Sequence, residues 1–580
     1  MPDAPTIALV KYTIGELQVQ WDPATYTDFV VNLKDSGGID LNQPATGTSA
    51  IIEITLDSTD TYTVTVIAMQ NGQQGPSSQP RTVIAAPPVY SQLKYTLIGG
   101  IGNLDMKWGA VSQADAYITT VEATDGSYMT NIPSVDPNCQ LGKILDPTVN
   151  YEATTIGVSA DGVVQGPPDE SLTAIVAQAA FTLLQYSLTD AVGSLTVQWG
   201  AVRNADHYST RVKASDGSFD QQYPSTTPYV EIPVTLDSTK TYTVTVATTA
   251  DNGVIIGPVS QVLSPLLKAP VVSQVQYTLD TGLGVLTTTW SALQNVPIYV
   301  TTIQSEDGSI KRNIPSVAPS SRLQETLPPD KLYDLTVVGA SADGVVVGPA
   351  SSLLHPIIAT ASLTLIEYDL SAGNGSLTTQ WDAVISADLY VTTIQATDGS
   401  YSRNIPTTDP SSVLSATLDD TRTYTVVVSG MNSGGIVLGP PSILYTAIVA
   451  GIADPMLNCS ATQLIAHWTI PPKLAGLTFE AGLFKAGISI DTRSTTTNTQ
   501  AFDFGLTPAT VYTSRIRATN GIVKGPWSLF TPGPYSTSLV YTFDALARLT
   551  AVTWDSAMRQ GYEFDNSGNL TTISIASVPA

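Results

Sequence analysis

Histidine, cysteine, charge and long apolar runs are all scarce in this chain, and each scarcity removes a class of function. Only His207, His355 and His467 occur in 580 residues. They fall in different segments, so no His pair is expected to hold zinc or to serve a nucleophile–base–acid relay. The two cysteines, Cys139 and Cys459, stand far apart along the chain, which excludes a disulfide framework and leaves each as a small apolar core candidate. No run of about 18 apolar residues is present, so no membrane-spanning helix is expected. Met1 to Pro5 lacks the basic start and apolar stretch of a secretory leader. No P-loop, G-x-S-x-G, paired CxxC or EF-hand loop occurs.

Charged residues make up 13% of the chain, with 49 acidic against 25 basic, for a formal charge of −24. Such a surface repels phosphate backbones and anionic bilayers, so neither nucleic acid nor membrane insertion is expected. The acidity reads first as solubility for a β-rich chain and only second as cation binding. Paired carboxylates such as Asp419-Asp420, or Asp544 with Asp565, lie in turn-like segments. There Asp serves local backbone bonding better than glycosidase chemistry.

Repetition is abundant. Trp21, Trp108, Trp199, Trp290, Trp381 and Trp468 each close a short alternating segment, L-x-x-x-W, with middle steps of 91 residues. Alternation rich in Thr and Val describes a half-buried strand whose inward residues include the Leu and the Trp. Some forty residues later comes L-x5-Y, at Leu56/Tyr62, Leu145/Tyr151, Leu236/Tyr242, Leu327/Tyr333, Leu418/Tyr424 and Leu506/Tyr512. Turn formers fill the interval and alternating runs follow, as a tyrosine corner requires. Asp-Gly-Ser turns at Asp125, Asp216, Asp307 and Asp398 mark a mid-repeat hairpin. Near each repeat's end a Gly-bearing turn precedes Gly-Pro, whose Pro suits an edge position of the last strand.

A Trp on an early strand, L-x5-Y before the sixth strand and Gly-Pro near the last resembles the fibronectin type III domain, over residues 1 to about 536. The resemblance implies an all-β fold of six tandem fibronectin type III-like β-sandwiches in a rod, followed by a short β-hairpin tail. The expected repeats are 1–86, 87–177, 178–267, 268–359, 360–450 and 451–536, with a tail at 537–580. The first and sixth copies are shorter and read as caps. Junctions such as Thr173 to Ala177 and Leu266 to Val272 are apolar and lack Gly/Ser runs. Stiff linkers that bury side chains between neighbours are therefore expected.

The tail has its own 21-residue repeat, Tyr541 to Thr550 and Tyr562 to Thr571, similar to the YD repeats of bacterial Rhs-type proteins. A second reading makes it the opening of a seventh sandwich, since Tyr541 precedes Trp554 by the same 13 residues that separate Tyr95 from Trp108. Two hairpins are too small to bury a core. Tyr541, Phe543, Trp554, Tyr562 and Phe564 are thus candidates for docking on a partner chain, or for folding back on the sixth repeat.

No catalytic, cofactor or metal residue is expected; the Trp and Tyr markers read as structural. The function expected is a non-enzymatic structural or adhesive fibre or spacer, as in a virion tail, injection particle or surface filament, located on an extracellular particle or cell surface. Its partner would be protein, or the chain itself. Two alternatives stay open: a carbohydrate- or receptor-binding module, using exposed aromatics such as Tyr128 and Tyr401, and an arm of an Rhs-type toxin or injection system.

Overall fold

The computed structural model describes residues 3–577 apart from 24, 372, 460–463, 486–487, 504–511, 529–538, 544–547, 555–557 and 565–569. Among these the chain is all-β, and the single helical element is a 3-10 turn at Pro472–Leu474. Two compact units are formed, Met1–Ala269 with Asn295–Ile298 and Val338–Ala350, and Pro270–Gln294 with Tyr299–Val337 and Ser351–Ala580.

Tandem β-sandwiches build the first unit. The opening repeat supplies β1 (Thr6–Thr13), β2 (Gly15–Asp22), β3 (Asp28–Asp35), β4 (Asp40–Thr46), β5 (Ser49–Ile54), β6 (Tyr62–Gln70), β7 (Gln73–Ser77) and β8 (Arg81–Thr82). The next supplies β9 (Tyr90–Ile98), β10 (Ile101–Trp108), β11 (Ala116–Ala123), β12 (Met129–Ser134), β13 (Asn138–Leu141), β14 (Tyr151–Val158), β15 (Val164–Gln165) and β16 (Leu172–Thr173). Period-two alternation explains each strand: in β6, Tyr62, Val64, Val66 and Ala68 are buried while the residues between face outward. β1, β2 and β5 form one layer and β4-β3-β6-β7 the facing one. Across the gap Trp21 meets Phe29 edge to face, ring centroids 5.3 Å apart.

The joints between repeats are hydrogen-bonded. β1 pairs in parallel with β15 of the following repeat, so one sheet runs β12-β11-β14-β15-β1-β2-β5 across the boundary. β9 joins Ile255–Ile256 of the third repeat in the same way, and within the first unit Val346–Val347 joins the strand Phe181–Thr189. The second unit repeats the device. There Val272–Asp280 pairs with Val437–Leu438, and Leu363–Ser371 with Val523–Lys524. At every joint two fully or nearly buried aliphatic residues face each other: Val10 and Val164, Leu93 and Ile255, Leu184 and Val346, Val275 and Val437, Ile366 and Val523. One backbone N–H of each first strand donates across the joint at 2.8–2.9 Å, as Val10 does to the Val163 carbonyl.

This arrangement corrects the expectation that the Gly-Pro strand is an edge. β15 lies between β14 and β1, and Pro167 ends it rather than lining an exposed side. The ladder bond that proline cannot give is replaced two residues later by a serine. Ser260, Ser351 and Ser442 each donate their N–H to the neighbouring strand and accept a strand N–H on Oγ at 2.9–3.0 Å.

In the tail, Leu539–Phe543, Leu549–Trp554, Met558–Phe564 and Leu570–Ser577 form a four-stranded antiparallel sheet in sequence order. Each 21-residue copy is one hairpin of it. Tyr541, Phe543, Trp554, Tyr562 and Phe564 lie on these strands, and their side chains fall outside the described residues.

Candidate functional site

All six marker tryptophans are buried, each with its ring against an aromatic of the facing sheet: Phe29, Tyr117, Tyr208, Tyr299, Tyr390 and Phe479, at centroid distances of 5.3–5.6 Å. The indole N–H groups of all six find no acceptor in the protein, so tryptophan serves here through ring area and shape. The corner tyrosines Tyr62, Tyr151, Tyr242, Tyr333, Tyr424 and Tyr512 are buried at the start of their strands. The phenol oxygens of Tyr62, Tyr151, Tyr242 and Tyr424 accept the N–H of Asp57, Asp146, Asp237 and Asp419 at 3.0–3.2 Å. In the fourth repeat that residue is Pro328, which has no N–H. There Tyr333 reverses its role and donates to the Pro328 carbonyl at 3.2 Å, and burial pushes its phenol up to about 12.

A second tyrosine in each of the first five repeats, on the first strand, grips the adjacent N–H. Tyr12, Tyr95, Tyr186, Tyr277 and Tyr368 accept from Leu56, Leu145, Leu236, Leu327 and Leu418 at 2.9–3.0 Å. Opposite four of them stands a glycine for lack of room. A Cβ on Gly102, Gly193, Gly284 or Gly375 would come within 2.4 Å of the phenol oxygen. A third tyrosine, Tyr117, Tyr208, Tyr299 or Tyr390, accepts the N–H of the residue three beyond the tryptophan at 2.7–3.1 Å. In the sixth repeat that residue is Pro471, and Phe479 stands in the tyrosine's place.

The exposed-aromatic candidates have a packing role. Tyr128 and Tyr401 set their rings edge to face on Tyr151 and Tyr424, at 6.3 and 5.7 Å, as Phe219 does on Tyr242. The Lys143 ammonium covers the other side of Tyr128 at 3.6 Å. Turn carboxylates are equally engaged. Asp125, Asp216, Asp307 and Asp398 accept the N–H and Oγ of the serine two residues on. The hydrogen bonds within these turns hold the four well below the usual carboxylate range, with Lys331 the largest influence at Asp307. Asp419 is occupied in the same manner by Thr421. Asp544 and Asp565 fall outside the described residues. Cys139 is buried, and burial raises its thiol pKa.

The joints carry a feature that spacing alone conceals. Between repeats a fully buried linker residue, Ile84, Ile175 or Ile357, rests on the glycine of the next repeat's Gly-Pro. A Cβ on Gly166, Gly257 or Gly439 would lie 2.5–2.6 Å from the isoleucine Cγ2. Leu266 on Gly348 and Ile448 on Gly525 complete the series. At the joint of the fifth and sixth repeats a charge network is added. Arg517, 9% exposed, donates to Glu367 of the fifth and, at 2.6 Å, to Glu480 of the sixth, with its guanidinium 4.2 Å from the Trp527 ring centroid.

His207 pairs with Asp251 at 2.6 Å, and His467 lies half-buried on the face opposite Trp468. His355 is differently placed: its Nδ1 is 3.1 Å from Asp334 Oδ1, and Glu306 is beside them. One ligand-capable atom from each lies within 4.8 Å of the others. A cavity of about 290 Å³ adjoins them, with Ser386, Asp388 and Asn432 of the next repeat on its far wall. No known protein family matches the chain, and no curated protein does.

Proposed function

We propose that the chain is a non-enzymatic structural or adhesive fibre or spacer of the fibronectin type III kind. In this reading it is a subunit of a phage-like particle or surface filament, with the YD-like C-terminal hairpins docking on a partner chain. The observation that carries this reading is the parallel strand pair at each joint. Linked but independent sandwiches need no such bond. A chain that splices the sheet of one repeat into the next resists bending and shear, which is what a spacer must do and what a soluble enzyme or mobile binding arm does not require. The carbohydrate-binding alternative loses its main support, because Tyr128 and Tyr401 spend their rings on the corner tyrosines.

Electron microscopy of the purified chain, alone and cut after residue 536, tests the reading. Ordered assemblies are expected from the full chain and not from the shortened one. A full chain that stays monomeric, together with glycan-array binding abolished by Tyr401→Ala, would replace it with the attachment-module alternative.

A further inference from the structure

We propose that Glu306, Asp334 and His355 form a binding site for one divalent transition-metal ion, with zinc as its natural probe. Three observations converge. The first is placement. Leu335 and Leu354 exchange backbone hydrogen bonds at 2.8 and 3.1 Å, which sets Asp334 and His355 directly opposite each other on adjacent strands. Glu306 is brought alongside by its own N–H, which donates to the Leu332 carbonyl at 3.0 Å. Backbone hydrogen bonds thus place all three: Asp334 lies on the strand Tyr333–Ala340, His355 directly follows the bridge residue Leu354, and Glu306 opens the turn after the strand Ile298–Ser305.

The second observation comes from the repeats themselves, which act as internal controls. The positions matching Glu306 are Thr124, Ser215 and Thr397; those matching Asp334 are Glu152, Thr243 and Thr425; those matching His355 are Thr173, Ser264 and Thr446. All but Glu152 are hydroxyl residues. Glu152 pairs with Thr173, and Thr425 with Thr446, in the cross-strand register that Asp334 and His355 occupy. The fold is therefore satisfied by Ser and Thr here, and the fourth repeat has exchanged all three at once for groups that ligate metals.

The third is geometry. Ligand atoms around zinc stand about 2.0–2.2 Å from the ion, hence roughly 3.0–3.6 Å from one another. The observed spread of up to 4.8 Å closes by small rotations of side chains that are half-exposed, 50% for His355 and 39% for Asp334. One imidazole with two carboxylates suits zinc, cobalt or nickel better than calcium, which takes six to eight oxygens. The remaining positions open on the cavity shared with Asp388 and Asn432, so a bound ion would stiffen the fourth repeat where it faces the fifth.

Calorimetry with zinc and visible absorption with cobalt on the chelator-stripped full chain provide the test. The comparison variant carries the sibling residues, Glu306→Thr, Asp334→Thr and His355→Ser, which the other repeats already fold with. The expected result is one ion per chain for the native protein, weakened on the order of tenfold or more in the variant, with intense cobalt bands lost as well. A second variant, His207→Ser, should bind as the native chain does. Identical isotherms for the native chain and the sibling variant would overturn the proposal, as would calcium binding as tightly as zinc.

Discussion

Because the linker isoleucine seats on the Gly-Pro glycine, Gly439→Ala should damage the joint chiefly through Ile357. The new methyl would stand 2.5 Å from Ile357 Cγ2, 3.1 Å from its Cβ and 3.3 Å from the Gly430 carbonyl oxygen. Carbon atoms in contact prefer about 3.5–4.0 Å, so Ile357, which is 0% exposed, has to leave its slot. Overpacking of this kind costs about 1–3 kcal/mol. Removing the isoleucine instead, by Ile357→Ala, costs about 2–5 kcal/mol in lost burial and cavity. The informative variant is the double one. With alanine at both positions the Cγ2 clash is gone, and the 3.1 Å contact to Cβ and the 3.3 Å contact to the Gly430 carbonyl oxygen remain. The two substitutions should then couple favourably, by about 1–3 kcal/mol.

Hydrogen exchange followed by mass spectrometry on the full chain reads this locally, in peptides covering Tyr424–Met431 and Val437–Leu438. Gly439→Ala should speed exchange there roughly 5- to 150-fold, and the double variant should recover part of the loss relative to the sum of the single ones. Gly435→Ala is the control. Its φ of +69 makes it strained for any side chain, yet nothing lies within 4 Å of its Cβ, so no coupling to Ile357 is expected. Strict additivity of Gly439→Ala and Ile357→Ala would refute the seating argument.

Other consequences follow from the tyrosines and turns. Tyr368→Phe leaves the buried Leu418 N–H without its acceptor and should cost about 1–3 kcal/mol, whereas Tyr333→Phe frees only the Pro328 carbonyl and should cost less than about 1 kcal/mol; urea denaturation of each variant decides. Tyr333 has a phenol raised to about 12, so its contribution is intact below the ordinary tyrosine value near 10 and disappears as pH rises towards 12. Alkaline melting curves of the native chain and Tyr333→Phe should therefore converge across that interval. Asp161 sits at about 2, chiefly through the Ser159 hydroxyl, with the Val163 N–H and Arg81 adding to it. What it gives the first joint is present above about pH 4 and lost as pH falls towards 2, and exchange in the peptide containing Arg81 should rise over that range in the native chain but not in Asp161→Asn.

The six-fold repetition, the strand alternation and the tyrosine corner were legible because each depends on residues close in sequence, such as Leu56 and Tyr62. The joint was not. Val10 and Val164 are 154 positions apart, and no local period reports that the first strand of one repeat is completed by the last strand of the next. Gly166 is marked in the sequence only by its proline neighbour, Pro167, which reads as an edge-strand residue. Its reason lies 82 residues upstream, in Ile84. The carboxylate–histidine cluster was hidden for another cause: a search for paired histidines passes over one imidazole beside two carboxylates. Lining the repeats up by their 91-residue step, and asking where Ser and Thr give way to ligands, would have found Glu306, Asp334 and His355.

The same comparison explains how spliced sheets avoid uncontrolled association. At the position of Val164, Ile255, Val346, Val437 and Val523, all buried against the preceding repeat, the first repeat carries Gln73, and Gln74 follows; both are exposed. The apolar row that elsewhere receives a parallel neighbour is thereby replaced by polar side chains. β7 curls onto β6 over three residue pairs with an irregularity in register, where β15 makes only one pair with β14. A polar, twisted edge is a poor template for another strand. Replacing Gln73 by valine would restore the row, so Gln73→Val should raise self-association in sedimentation velocity while leaving the melting temperature unchanged. A variant that stays as disperse as the native chain would mean that the curl of β7, and not its polarity, protects the edge.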